Sequence, residues 1–270
     1  MKATKLLAIA ACADALLTPI VATAQPADDW RFNAIIYVYL PDISGTTTFQ
    51  QTGASDSATV DADTILKHLK FAFMGTFDAN KGRWGVTNDL MYLNVGDSKS
   101  QTKNFSIGGI QIPADASASA HFDLKGWIWT IAGTYDAVSD PQARLQLLAG
   151  ARLLSVRENF NWQLSGNVGP IPLPGRQGSS EAKIDNWDAI VGVRGRLMFG
   201  GNREWFIPYY VDAGTGNSDL TWQAIGGIGY AFKWGDIIAA WRYLDYNMKS
   251  GKDIQSVNFN GPAIGVAFHW

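Results

Sequence analysis

Apolar and polar residues alternate along most of this chain in runs of about ten. That is the two-residue period of a strand with one greasy face and one wet face. In the first run Trp30, Phe32, Ala34, Ile36, Val38 and Leu40 share a face, and Arg31 and Asn33 begin the other. From about Leu69 to Ala79, Leu69, Phe71, Phe73 and Phe77 oppose Lys70, Thr76 and Asp78. From Arg83 to Asn94, Trp84, Val86, Leu90 and Tyr92 oppose Thr87 and Asp89, with Asn88 breaking the apolar face. The fourth run, about Ser119 to Tyr135, sets Phe122, Leu124, Ile128 and Thr130 against His121, Asp123, Lys125, Trp127 and Trp129.

The second half repeats the pattern. Leu145, Leu147, Ala149, Ala151 and Leu153 oppose Arg144, Gln146 and Arg152 in a run ending near Arg157. From about Ile184 to Phe199, Trp187, Ala189, Val191, Val193, Leu197 and Phe199 oppose Asp188, Arg194 and Arg196. Trp205, Ile207, Tyr209 and Val211 then oppose Tyr210 and Asp212. Trp222, Ala224, Ile228, Tyr230, Phe232 and Trp234 oppose Gln223 and Lys233, and Trp241 and Tyr243 oppose Arg242. The tenth run ends the chain, with Pro262, Ile264, Val266, Phe268 and Trp270 against Gly261, Ala263, Gly265, Ala267 and His269.

Ten such runs predict an all-β fold, an antiparallel transmembrane β-barrel of about 10 strands, with 8 or 12 as alternatives. An even number lets an antiparallel barrel close with both termini on one side. The connections support this: those at residues 80–82, 136–142, 200–204 and 235–236 are short. Those near residues 41–68, 95–118, 158–183, 214–220 and 249–256 are mostly longer. The short ones are expected on the periplasmic side and the long ones outside the cell. In the first long connection Asp61 or Asp63 can cap a short helix. In the third, Pro170, Pro172, Pro174 and Gly175 predict an irregular excursion.

Residues 1–24 read as an export signal. Lys2 and Lys5 precede an apolar stretch, and Ala22-Thr23-Ala24 is a cleavage site. The expected mature domain is residues 25–270. Cys12, the single cysteine, lies inside the signal, where Ile9-Ala10-Ala11-Cys12 also resembles a lipidation motif. Net charge is −2 and only 17% of residues are charged, so there is no nucleic-acid footprint. The 11 Trp, 9 Tyr and 13 Phe matter because of where they fall. Trp30, Trp84, Phe199, Trp205, Trp234 and Trp270 all lie at strand ends on one side, the headgroup level of a bilayer.

Facing lipid, an Arg or Lys at the bilayer midplane costs about 2–4 kcal/mol. Asp89, Asp123, Lys125, Arg152, Arg194, Arg196, Asp212 and Arg242 are therefore expected to point into the lumen. Two readings stand: a packed ion-pair network that fills a narrow barrel, or a basic constriction in an anion-favouring pore.

The stretch Trp222-Gln223-Ala224, Gly229-Tyr230, Trp241-Arg242-Tyr243-Leu244-Asp245-Tyr246, then Gly261-Pro262 and the aromatic end, resembles small bacterial outer-membrane barrels of the OmpA, OmpW and opacity type. Arg83-Trp84-Gly85 with Asp89-Leu90 and Tyr92 is similar to the same group. The resemblance implies residence in the outer membrane and a structural, porin-like or surface-interaction role. It also implies that Phe268 and Trp270 form a C-terminal signal read by the barrel-assembly machinery. Expected partners are outer-membrane lipid, that machinery, and small solutes or extracellular partners at the loops; no nucleic acid and no cofactor is expected.

Two other classes are weighed beside it. A barrel enzyme acting on lipid or peptide needs a His beside a nucleophile at the outer rim. Of His68, His121 and His269, only His121, with Asp123 and Ser119, resembles such a set. No G-x-S-x-G or zinc-type spacing is present, and Asp56, Asp61 and Asp63 do not follow a calcium-loop spacing. A soluble exported ligand-binding barrel would instead bury the Trp-rich face and expose the charged one.

Overall fold

The computed structural model describes residues 29–49, 54–101, 106–107, 110–111, 116–168, 171–250 and 254–270. The proposed export signal and Cys12 lie outside the described residues. Among the described residues fourteen strands are present: β1 (Trp30–Tyr39), β2 (Asp42–Phe49), β3 (Ala54–Val60), β4 (Leu69–Lys81), β5 (Trp84–Gln101), β6 (Ser106–Ile107), β7 (Ile110–Gln111), β8 (Ala116–Ser139), β9 (Ala143–Val168), β10 (Ile171–Phe199), β11 (Trp205–Gly216), β12 (Ser218–Ala231), β13 (Asp236–Met248) and β14 (Ile254–His269). One short helix, α1 (Ala62–Lys67), precedes β4.

Ten strands form a closed antiparallel barrel in the order β1-β4-β5-β8-β9-β10-β11-β12-β13-β14, and β14 returns to β1. The seam runs from Asn33↔His269 to Tyr39↔Ala263. Reciprocal backbone bonds between Phe32 and Trp270 (2.8 and 3.1 Å) extend it to the last residue. At Pro41 the chain leaves β1, and the β2–β3 hairpin pairs with the upper part of β14.

The side chains are distributed inside out. Ile36, Val38, Phe73, Val191, Val211, Ile228, Trp241 and Ile264 are exposed on the outer wall. Arg152, Asp188, Asp212 and Arg242 are buried within. A soluble barrel would show the reverse; here only a bilayer can cover the exposed apolar wall. Between Phe199 and Trp187 the outer face of β10 climbs roughly 30 Å along the barrel axis, given ~3.3 Å per residue and a tilt of ~40°. That matches a hydrocarbon core.

Aromatic rings bound this belt at both ends. At the turn end Trp30, Phe32, Phe77 and Trp270 form one series of ring contacts, and Tyr230, Phe232, Trp234 and Phe268 form another. A second girdle, absent from the sequence reading, holds Phe71, Tyr92 and Trp127 at the loop end, with Trp129 on Trp187. Asn88 does face outward within the belt, in register with Phe77 and Ile131.

Several expectations need correction. The excursion expected at residues 158–183 is a continuation of β9 and β10, which pair far beyond the belt. Pro172 and Pro174 are accommodated beside a register shift between Leu173 and Arg176, because proline is tolerated where a strand edge or bulge needs no donor. Likewise β5 extends to Gln101, β2 and β3 pair within the first of the long connections, and β11 and β12 meet in a tight turn at Asn217. The fourth run is inverted by one residue. Ile128 and Thr130 are buried inside, whereas Trp127 is exposed on the outer face with Lys125. Lys125 therefore does not belong to the lumen. Asp123 occupies the same parity of β8, and its side chain lies outside the described residues.

Candidate functional site in the barrel lumen

Inward-facing positions fall into three layers. Nearest the turns, Arg144 donates to both carboxylate oxygens of Asp136 (2.9 and 3.0 Å). Arg196 meets Asp236 at 3.3 Å, and His269 lies 3.0 Å from the same carboxylate. Asp136 and Asp236 read as turn residues in the sequence; Asp136 instead lies within β8, at a register shift near its end, and Asp236 begins β13. Just above, Arg194 donates to Asp78 (2.9 Å), Thr87 (2.9 Å) and Gln146 (2.8 Å).

The middle layer holds two denser clusters. Arg242 donates to Asp89 (2.8 Å), to the Tyr37 hydroxyl (2.9 Å) and to Gln223 (3.0 and 2.7 Å). Tyr37 and Thr76 in turn donate to Asp89 (2.7 and 2.9 Å). Arg152, fully buried, pairs with Asp212 and donates to Thr130 (3.1 Å). Tyr210 also donates to Asp212. The strands bring these groups together because each is on the inner parity of its own strand, while the strands lie on different sides of the barrel. A guanidinium offers five donors in a planar fork, so one arginine can tie three or four strands. Thr76, Gln146, Tyr210 and Gln223 read as polar-face residues in the sequence and Tyr37 went unnamed, but none was assigned to the charge network; being neutral, they show that role only once the charge they serve is placed.

The loop-side layer is apolar. Tyr39, Met74, Met91, Ile128, Leu154, Leu244, Tyr246 and Met248 pack into one buried cluster across the lumen. Tyr39 also donates to the Arg242 carbonyl (3.1 Å). At its edge Asp188 accepts from Asn186 and from the Ser218 hydroxyl and amide (2.6, 2.8 and 2.7 Å). Below the cluster a cavity of about 290 Å³ is lined by Asn33, Asp78, Arg194 and Arg196 together with Ile225 and Ile238. Its lining includes the turn-side groups Arg144, Arg196, Asp236 and His269 and none of the buried residues of the apolar cluster. Within it the Phe206 ring fills the place a Cβ on Gly229 would need, 2.2 Å away, which fixes glycine there.

The remaining candidates are scattered. His269 is at the turn end with Asp236. The side chains of His121 and Ser119 lie outside the described residues, as does that of Asp56. Asp61 caps α1 by accepting from the Thr64 amide (2.7 Å); hydrogen bonding with the Thr64 side chain, and then with that amide, holds its carboxyl below the usual range. Asp63 pairs with Lys67, so these carboxylates do not converge. Among the described residues no group of three or more His, Cys, Asp or Glu is placed to hold a metal. Phe268 and Trp270 sit on the outer face at the seam, Phe268 against Trp234 and Trp270 against Phe32 and Phe77.

No family model matches the chain, and no curated protein sequence matches it. Solved structures do. The outer membrane protease OmpT of Escherichia coli superposes with a TM-score of 0.53 at 10% identity, over 92% of this chain and 99% of that one. Ail, the attachment invasion locus protein of Yersinia pestis, aligns over 88% of this chain and 98% of its own, at 11% identity and a TM-score of 0.33. Neisserial surface protein A aligns over 88% and 96%, at 10% identity and a TM-score of 0.28. At such identities likeness speaks for fold alone, and the chain has the fold and the lipid-facing wall of a bacterial outer-membrane β-barrel.

Proposed function

We propose that this chain is a sealed outer-membrane barrel with a structural or surface-interaction role, and that its inward charges hold the wall together rather than select ions. One observation carries this reading: the loop-side half of the lumen is filled by the cluster around Leu154, Leu244 and Tyr246. A water-filled path needs polar or empty positions throughout, and apolar side chains at packing contact leave neither. Every inward arginine also has a carboxylate, as a buried cation requires. On this reading the working surfaces are the ribbons of β8, β9 and β10 and the β2–β3 hairpin, beyond the belt. Assembly through the C-terminal aromatic end, after export by the residue 1–24 signal, belongs to the same proposal.

The refolded protein in a planar bilayer should give no steady conductance. A persistent anion-selective current in the native protein, abolished by Arg194→Ala with Arg196→Ala, would replace this reading with the pore. Neither arginine then needs its partner for stability.

A further inference from the structure

The strand order gives the turn-side cavity two unlike arcs. On the neighbouring strands β12, β13, β14 and β1 its lining holds Ile225, Ile238, Ala240, Ala263 and Ile35. Asp236 and Arg242 bound this apolar band along β13, and Asn33 and Tyr37 bound it along β1. Ile35, Ile225 and Ile238 are only half-buried, so apolar surface is left facing the cavity. On β4, β5, β8, β9 and β10 the lining side chains are polar, among them Asp78, Asp89, Arg144 and Arg194. A cavity with one apolar arc and one polar arc suits an amphipathic small molecule, whose body the first arc covers and whose polar group the second orients.

The charges give the sign of that group. Four arginines but three aspartates line the cavity, because Asp136, the partner of Arg144, lies outside the lining. Arg196 is where the surplus is free to act. Its one carboxylate contact, to Asp236, is 3.3 Å long, and His269 competes for the same carboxylate at 3.0 Å. Arg194, by contrast, makes three bonds of 2.8, 2.9 and 2.9 Å. Arg196 has no other polar partner among the described residues, and its guanidinium lies over the Phe206 ring at 5.6 Å. The side chains of Arg196 and His269 are 40% and 42% exposed, so solvent reaches them from the turn end. A guanidinium donates two parallel bonds to a carboxylate, and one surplus positive charge matches one negative charge. A phosphate dianion would bring a second negative charge with no partner. We propose that this cavity binds a compact organic carboxylate with an apolar body, of the size of a substituted benzoate, its carboxylate on Arg196 and its body on Ile225, Ile238 and Ala240. The site uses only the turn-side cavity and does not depend on the loop-side seal.

The test uses the full chain in phosphatidylcholine nanodiscs, with 4-fluorobenzoate as the probe and fluorine NMR as the readout, against empty nanodiscs. 4-Fluorobenzamide serves as the uncharged twin. The native protein should bind the carboxylate with a Kd of about millimolar or tighter. It should prefer the carboxylate to the amide by about tenfold, the worth of a hydrogen-bonded charge at a partly wet site. Arg196→Ala should weaken carboxylate binding by about that same tenfold and leave the amide unchanged. Lys233→Gln removes a turn-end cation outside the lining and should leave both unchanged. Ala240→Phe fills the apolar band and should abolish binding of both probes; Ile238→Trp is read in the same way should that variant fold poorly. A signal no different from empty nanodiscs overturns the site. Equal carboxylate affinity in Arg196→Ala and the native protein overturns it, since the charge is then not read at Arg196. An equal loss in Lys233→Gln overturns it too, the attraction then being to net charge. Binding retained in a folded variant with the band filled also overturns it, because the probe then sits outside the cavity.

Discussion

The two halves of the lumen solve the same problem differently. On the turn side the cross-strand contacts are salt bridges around a cavity, and their arginines stay partly wet: Arg196 is 40% exposed and Arg144 31%. On the loop side the contacts are apolar packing, and the two arginines near that layer, Arg152 and Arg242, are buried. In the first half water screens the Arg144 and Arg196 pairs, so losing either arginine should cost little. In the second half a lost partner leaves a charge or a hole that water does not repair. The lumen is therefore stiff and sealed on one side and tolerant on the other.

The largest effect expected from this contrast is at Asp212. Asp212→Ala strands Arg152 in the buried layer and should destabilise the barrel by about 3–5 kcal/mol. Urea unfolding in lipid vesicles, followed by Trp fluorescence, measures it. Arg196→Ala on the wet side should cost no more than about 1 kcal/mol. Equal losses would mean that both halves are equally dry. Leu244→Ala removes a fully buried side chain from the seal and should cost about 2–5 kcal/mol. It should also introduce brief conductance events that the native barrel lacks. Unaltered stability with unaltered silence would show that the seal lies elsewhere.

The wall offers the next contrast. Ile228 is exposed on the outer face and Ile238 lines the cavity. Val193→Arg, midway between Phe199 and Trp187, should cost about 2–4 kcal/mol, and Ile228→Arg, one outward position from Tyr230 of the turn-end girdle, less; folded yield by heat-modifiable mobility should fall in both. Ile238→Lys meets the cavity and Asp236, so it should be tolerated far better. Equal tolerance would mean that the two faces are assigned the wrong way round, since one residue of slip exchanges every side chain.

The same contrast explains what could be read without a structure. Where the lumen is charged, alternation is clean, and the parity of Arg152, Arg194, Asp212 and Arg242 followed directly from it. Where the lumen is apolar, both faces of a strand are apolar and the period carries no sign. That is why Trp127-Ile128-Trp129-Thr130 was placed with the wrong face out, taking Lys125 inward with it. The signal for the seal was present as Met74, Met91, Leu244, Tyr246 and Met248, apolar residues on the inner parity of three strands. Each alone reads as a flaw in an amphipathic strand; only pairing shows that they share one height. The long ribbons were hidden for another reason. Beyond the belt neither face meets lipid, so hydrophobic alternation stops although hydrogen-bonded pairing continues. The ion-pair partners Asp136 and Asp236 were legible as residues but not as lumen groups, because they sit where a strand becomes a turn.

The smallest effect tests how dry the seal is. Tyr246 is fully buried, and its hydroxyl has no hydrogen-bond partner among the described residues. Its ring packs with Leu244 and Met248 in the apolar layer. A buried hydroxyl without a partner carries its desolvation cost without the return of a bond, typically about 1–3 kcal/mol. Tyr246→Phe keeps the ring and removes that cost, so the variant should be as stable as the native barrel or more stable by up to about 1 kcal/mol. The urea midpoint decides it, read against Leu244→Ala in the same vesicles. A clear loss of stability in Tyr246→Phe would mean that the hydroxyl is bonded in solution. The loop-side layer would then be a polar network like the one below it, and the two halves of the lumen would differ in degree rather than in kind.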